Sequence, residues 1–132
     1  MRIVNRIRLD KGQALVEFTL LIPVLLFVVL AIAQFGELYN HYVSITDATR
    51  AGARMAVVSR TATDPSAVAI QAVRDSAHTL DQSQLTVTVT PAPPWTSGQQ
   101  ITVTASYPYS LDLAGLVVKS GSLTSSTKER VE

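Results

Sequence analysis

Cysteine is absent from the 132 residues, and its absence excludes several kinds of chemistry. The chain has no disulfide framework, no thiol nucleophile and no thiolate to offer a metal ion. The compartment therefore cannot be inferred from cysteine usage, although an oxidising one is permitted.

Catalytic motifs and a strong net charge are also lacking. No nucleophile elbow, phosphate-binding loop or zinc motif occurs, and a formal net charge of +1 gives no reason to expect nucleic acid as a partner. The nearest approach to a metal cluster is His78, with Asp75 and Asp81 three residues away on either side, and an exposed helix face explains that spacing without metal chemistry. We therefore expect no enzyme activity, no metal or other cofactor, and no small-molecule substrate.

Charge is missing from one long stretch and concentrated just before it. Residues 1–12 carry a net charge of +3, whereas the other 120 residues sum to −2. From Ala14 to Ala33 the chain has 20 residues, of which only Glu17 is charged. As a helix this stretch is about 30 Å long, which matches the hydrocarbon core of a bilayer. The sequence predicts a transmembrane helix with its basic end in the cytoplasm and the remaining chain exported.

The apolar stretch has two other interpretations. A buried helix of a soluble protein is disfavoured, because so small a domain can hardly cover a helix that is apolar on all sides. A cleaved signal peptide is possible, since Ala31 and Ala33 provide a small-residue cleavage site. Apolar and small residues nevertheless recur at helical spacing well beyond Ala33. This pattern favours a single helix from about residue 13 to about residue 60, which cleavage there would cut.

The second half of this helix is rich in small side chains that allow another element to pack closely. They are Ala48, Ala51, Gly52, Ala53 and Ala56. Arg50 and Arg54 lie on one face of the same segment, and they form either a solvated edge or a partner-binding surface.

The remaining chain predicts a small α+β head. Residues 61–80 form a second helix with Asp64 as N-cap and Pro65 at the first helical position. The stretches 84–91 and 101–109 alternate as strands of a hairpin with Trp95 in its tip. Residues 110–121 are expected to be a connection, with a helical turn at most, and 122–132 an edge strand or a frayed tail. The predicted fold is one helix on a three-stranded antiparallel sheet, carried by a long N-terminal transmembrane and stalk helix.

Glu17 has a specific spacing from a glycine. A cut after Gly12 would make Gln13 the first residue and Glu17 the fifth. A carboxylate in a membrane span is costly, and it costs less near the end of the span. Glu17 is therefore either a residue at the headgroup level or a group kept for a partner.

These residues carry a resemblance to a known family. The stretch "KGQALVEF" (11–18), with its basic leader, resembles the processing site of type IV prepilins. "GQALVEFTLLIPVLLFVVLAIAQFGELY" (12–39) resembles the TadE/TadG-like family, the minor pilins or pseudopilins of the tight-adherence (Flp) pilus. "ATRAGARMAV" (48–57) and "LTSSTKERVE" (123–132) are also similar to that family. Phe18 matches the minor class, since the major pilins have tyrosine there.

The resemblance implies a division of the chain and a set of partners. Residues 1–12 would be a prepilin leader, 13–35 the transmembrane helix, 36–60 its stalk and 61–132 the extracytoplasmic head. A prepilin peptidase would cut between Gly12 and Gln13, and Glu17 would pair with the new α-amine of Gln13. The implied partners are that peptidase, other pilins, Tad secretion-platform membrane proteins and the lipid bilayer. Pro23 would kink the span or be a tolerated membrane proline. The alternative is a signal-anchored extracytoplasmic binding domain unrelated to pili.

Overall fold

The computed structural model describes the backbone of residues 3–132 and the side chains from residue 12 onward. The side chains of the predicted leader, residues 1–11, lie outside this part. The described elements are α1 (Ile3–Val58), α2 (Pro65–Ser76), β1 (Thr86–Thr90), β2 (Gln100–Leu113) and β3 (Leu116–Arg130). The strands form one antiparallel sheet in the order β1-β2-β3. The predicted α+β fold, with its long apolar N-terminal helix, is confirmed.

Helix α1 is one continuous element of 56 residues, or about 84 Å. It begins at Ile3, whereas the sequence predicts a start near residue 13. The stretch before Gly12 contains no proline, and nothing in it obliges a helix to end. The helix also continues through Pro23. That proline has no N–H to donate to the carbonyl of Thr19, so α1 lacks one backbone hydrogen bond there.

Helix α2 begins as the sequence predicts. The Asp64 side chain accepts a hydrogen bond from the backbone N–H of Ala67 at 2.9 Å, and Pro65 occupies the first helical position. The helix ends at Ser76, which is earlier than predicted, and the backbone N–H of Ala77 caps it by donating to the carbonyl of Val73 at 2.9 Å. Leu80 then follows in a turn and is buried beneath the sheet.

The second hairpin of the sheet is much longer than predicted. Residues 110–121 were expected to be a connection, and this is wrong, because β2 and β3 remain paired out to Leu113 and Leu116. The reversal takes only Ala114 and Gly115, with φ of 55° and 86°, which is the left-handed pair that a two-residue hairpin needs. Strand β3 is an edge strand paired with β2 from Leu116 to Arg130, so of the two alternatives for residues 122–132 the edge strand is confirmed.

The core lies between the sheet and the second half of α1. Alternate residues of β2 face inward and are buried: Ile101, Val103, Ala105 and Tyr107. Helix α2 closes one side of this layer with Ala69 and Val73. Trp95, predicted in the tip of a loop, is buried at the far end of the core, where its indole N–H donates to the carbonyl of Pro91 at 2.8 Å.

Candidate functional site

The described side chains of α1 from Gly12 to Val29 are not covered by other described parts of the chain. Every residue from Gly12 to Val29 is exposed, including large apolar side chains such as Leu20 at 70% and Phe27 at 52%. This helix is long and apolar enough to cross a membrane. A surface of this size and composition fits lipid or other apolar helices rather than water.

The residues of the predicted processing site lie together at the start of this exposed segment. The side-chain amide of Gln13 donates a hydrogen bond to the Glu17 carboxylate, with Nε2 and Oε1 3.1 Å apart. The two residues are one helical turn apart and therefore share a face. A Cβ added to Gly12 would meet no atom of the described side chains within 4 Å.

The bond between Gly12 and Gln13 is helical in this structure. An endopeptidase that grips its substrate as an extended strand must first unwind such a helix locally. Glycine makes this easier, because it costs a helix about 1 kcal/mol relative to alanine and adopts many backbone conformations. Gly12 therefore weakens α1 at the position where the chain would have to open.

The small residues of α1 contact an element of the same chain. Ala48, Gly52, Ala53 and Ala56 are buried, and Ala51 is half-buried. A Cβ built on Gly52 would overlap Cγ2 of Val73 and lie 3.1 Å from the carbonyl oxygen of Ala69. The close approach that the sequence predicts here is therefore made by α2.

A polar contact beside this patch was not predicted. Thr49 is fully buried, and its hydroxyl donates to the carbonyl of Thr46 at 2.9 Å. The same oxygen accepts a hydrogen bond from the Thr127 hydroxyl at 3.1 Å and lies 3.3 Å from the hydroxyl of Ser125. Ser125 and Thr127 are two residues apart in β3 and therefore lie on the same face of the strand. This spacing is the sequence signal that could have indicated their contact with Thr49.

The charged candidates of the stalk and head are solvated. The guanidinium of Arg50 lies 3.2 Å from the Asp47 carboxylate, and both side chains are more than 60% exposed, so the pair contributes little. His78 contacts the backbone carbonyl of Asp75 at 3.3 Å. Within the residues whose side chains are described, no three His, Cys, Asp or Glu side chains gather as metal ligands. The hydroxyl and backbone N–H of Ser83 both donate to the Asp81 carboxylate, which lowers its pKa from the usual range.

A small cleft lies where the head meets the exposed half of α1. Its volume is about 190 Å³, and its walls include Gln34 and Leu38 of α1 and Leu111 of β2. The rings of His41 and Tyr107 pack edge to face beside it, with centroids 5.3 Å apart. Leu111 is the residue of β2 furthest along the strand that lines the cleft.

Fold and site together define a class: a protein with one apolar helix able to anchor it in a membrane and a compact α+β head on the same helix. Residues 12–54 match the family model described as TadE-like protein, which confirms the predicted resemblance over that segment. The match begins at Gly12 and covers the apolar span and part of the small-residue patch, but not α2 or the sheet. No curated protein and no solved structure gives a significant match.

Proposed function

We propose that this protein is a minor pilin, or pseudopilin, of a tight-adherence (Flp) type IV pilus, with a part in pilus assembly and surface adherence. The observation that carries this proposal is the TadE-like match, which starts at Gly12 and so includes Gln13 and Glu17. An uncovered apolar helix leading into a small head suits a subunit whose helix moves from lipid into a bundle of similar helices.

In this proposal a prepilin peptidase cuts between Gly12 and Gln13. The cut removes a leader with a net charge of +3, which would otherwise hold that end in the cytoplasm. It also creates a positively charged α-amine on Gln13 at the edge of an apolar environment. The open surroundings of Gly12 and its weak helical preference both favour such a substrate.

Glu17 is proposed to receive that α-amine, within one subunit or between neighbours. Its carboxylate already lies 3.1 Å from the side chain of Gln13, so the two positions are within reach of each other. Opposite charges attract far more strongly in an apolar environment than in water. The pairing would fix the register of one subunit against other pilins and the Tad secretion-platform membrane proteins.

Gly12→Val tests the processing step. A β-branched residue at this position crowds the backbone that the peptidase must grip, so the variant should keep its leader when a prepilin peptidase is co-expressed. Gly36→Val is the matched control, because Gly36 is also a glycine of α1 with nothing within 4 Å. The measurement is the N-terminal sequence of each membrane-extracted protein.

The N-terminus of the wild type also separates the candidate functions. Gln13 supports the pilin. Met1 in the presence of the peptidase would favour a plain signal-anchored protein, and Gln34 a secreted one. Normal cleavage of Gly12→Val would contradict the proposed scissile bond.

The proposed orientation places the head outside the cytoplasmic membrane, because the basic residues precede the apolar span. An alkaline phosphatase reporter fused after Glu132 should therefore be active in cells. Activity of a cytoplasm-specific reporter at the same position would contradict this orientation.

A further inference from the structure

The outer end of the β2–β3 hairpin is apolar and uncovered. We call residues 113–118 the hairpin tip. Leu116, Val117 and Val118 are 74%, 64% and 62% exposed, and no charged residue lies between Asp112 and Lys119. Two-residue turns of this type strongly favour Asn-Gly or Asp-Gly, yet this one is built from Ala114 and Gly115. An apolar turn flanked by exposed leucine and valine is unusual for a hairpin that ends in water.

Strand β2 lies along α1 and runs toward its N-terminal half. Val103 lies beside Gly52, and Leu111 shares a cleft with Gln34. From Val103 to Leu111 the strand advances about 26 Å. From Gly52 to Gln34 the helix advances about 27 Å. The two elements therefore run in opposite chain directions. Leu113 lies two residues further along, past a register shift, and so at most about 7 Å beyond Leu111, toward the level of Leu30.

The exposure pattern of α1 indicates the same level independently. All residues from 12 to 29 are exposed, whereas partial cover begins at Leu30 and Ala31. Leu30, Gln34 and Leu38 are four apart and lie on one face of the helix, and Gln34 and Leu38 line the cleft shared with β2. Partial cover of α1 therefore starts at Leu30, inside the apolar run that ends at Ala33.

We propose that the hairpin tip enters the outer boundary of the lipid bilayer beside α1, as a second membrane contact that belongs to the head. This rests on the proposed anchoring of α1 in a membrane. If the hydrocarbon begins at Ala33, the level of Leu30 is about 4.5 Å deeper. Apolar side chains of interfacial segments commonly insert to about 5–10 Å, so the tip lies at a suitable depth.

The residues around the tip suit this position. Lys119 is exposed directly after the apolar run, and a lysine can keep its stem in the apolar layer while its ammonium contacts lipid phosphates. Tyr39 and Tyr42 of α1 are 69% and 47% exposed just beyond the span, and tyrosine is enriched at membrane–water interfaces. Two contacts on one bilayer face would fix the rotation of the head about α1.

The absence of cysteine makes the test direct, because single cysteines can be introduced and spin-labelled in the full chain. Val117→Cys reports on the tip, Thr88→Cys on the exposed face of β1, and Phe27→Cys on the span. Each protein is reconstituted in vesicles of phosphatidylcholine and phosphatidylglycerol. The label's collision rate with oxygen, which concentrates in lipid, is then compared with that for a water-soluble nickel chelate.

The ratio of oxygen to nickel accessibility at Val117 should be several-fold above that at Thr88 and below that at Phe27, and Val118→Cys should agree. A water-like ratio at Val117 with a lipid-like ratio at Phe27 would overturn the tip contact and leave the anchor intact. Shielding of Val117 from both agents would overturn it in favour of contact with another copy of the chain. A water-like ratio at Phe27 would overturn the anchor and the tip contact together.

Discussion

The two halves of α1 differ in how far the rest of the chain covers them. From Gly12 to Val29 the helix is apolar on every side, and all of it is exposed. From Ile45 to Ala56 one face is buried, and apart from Ile45 and Thr49 that face consists of alanine and glycine, with Gly52 at the closest contact. The same helix therefore has large residues where its own chain leaves it bare and small ones where its own chain covers it.

The difference shows where each half finds its partner. Small side chains let α2 and the sheet approach the backbone closely, so the second half is specified by fit. Large side chains in the first half have no fixed neighbour among the described residues, and lipid accepts most apolar shapes. Substitutions of one apolar residue by another should therefore be tolerated in the first half and costly in the second.

Glu17 is the expected exception within the first half, and its loss should have the largest effect. Glu17→Gln should insert and be cut normally, because removing a charge makes insertion easier. It should assemble poorly, because the α-amine of Gln13 is left unpaired in an apolar environment, a loss that typically costs ~3–5 kcal/mol. Pilus yield and co-purification with other pilins, at matched protein level, are the measurements.

Two further variants sharpen this test. Glu17→Asp should assemble at an intermediate level, since the charge remains with a shorter reach. Gln13→Leu removes the side-chain amide that contacts Glu17 but keeps the α-amine, so it should assemble. Wild-type assembly of Glu17→Gln would show that the carboxylate is only a residue at the end of the helix.

Gly52→Ala and Gly36→Ala compare the two environments within one helix. An exposed Gly→Ala change in a helix stabilises by up to about 1 kcal/mol, and Gly36 has nothing within 4 Å to oppose it. At Gly52 the new methyl group would overlap Val73 and press on the Ala69 carbonyl. We expect a net loss of about 1–3 kcal/mol.

The unfolding midpoint of each variant is measured by heating the detergent-solubilised chain. The near-ultraviolet circular dichroism of the buried Trp95 monitors the unfolding. The two midpoints should move in opposite directions. If both variants raise the midpoint, α2 does not approach α1 as closely as the structure has it.

The long helix, α2 and the antiparallel sheet could be predicted because each has a strong local signal. The length of the apolar run indicates α1, and the Asp64–Pro65 pair marks the start of α2. Strict alternation indicates the beginning of β2. The candidate site at Gly12 and Glu17 also comes from spacing, because a single acid in an apolar run stands out, and it stays a prediction.

The outer hairpin could not be predicted in the same way. Ala114 occupies a left-handed position that asparagine usually fills, so the turn gave no signal. A register shift beside Leu111 breaks the alternation, and Val118 adds an apolar residue out of phase. The contact of Thr49 with β3 depends on residues far apart in the chain, which local patterns do not report.

Thr49→Val tests that contact and should have the smallest effect of the series. Valine keeps the shape of threonine but removes the hydroxyl that accepts from Thr127 and contacts Ser125. Leaving a partly buried hydroxyl without its partner typically costs about 1–3 kcal/mol. We expect the lower end of this range because β3 is an edge strand that water can reach.

Thr46→Val is the control, since the described hydrogen bond of its hydroxyl is to the Tyr42 carbonyl within α1. The double variant Thr49→Val with Thr127→Val should recover part of the loss, because both polar partners are then replaced. Equal unfolding midpoints for Thr49→Val and Thr46→Val would show that the hydroxyl contacts of Thr49 do not help to hold β3 against α1.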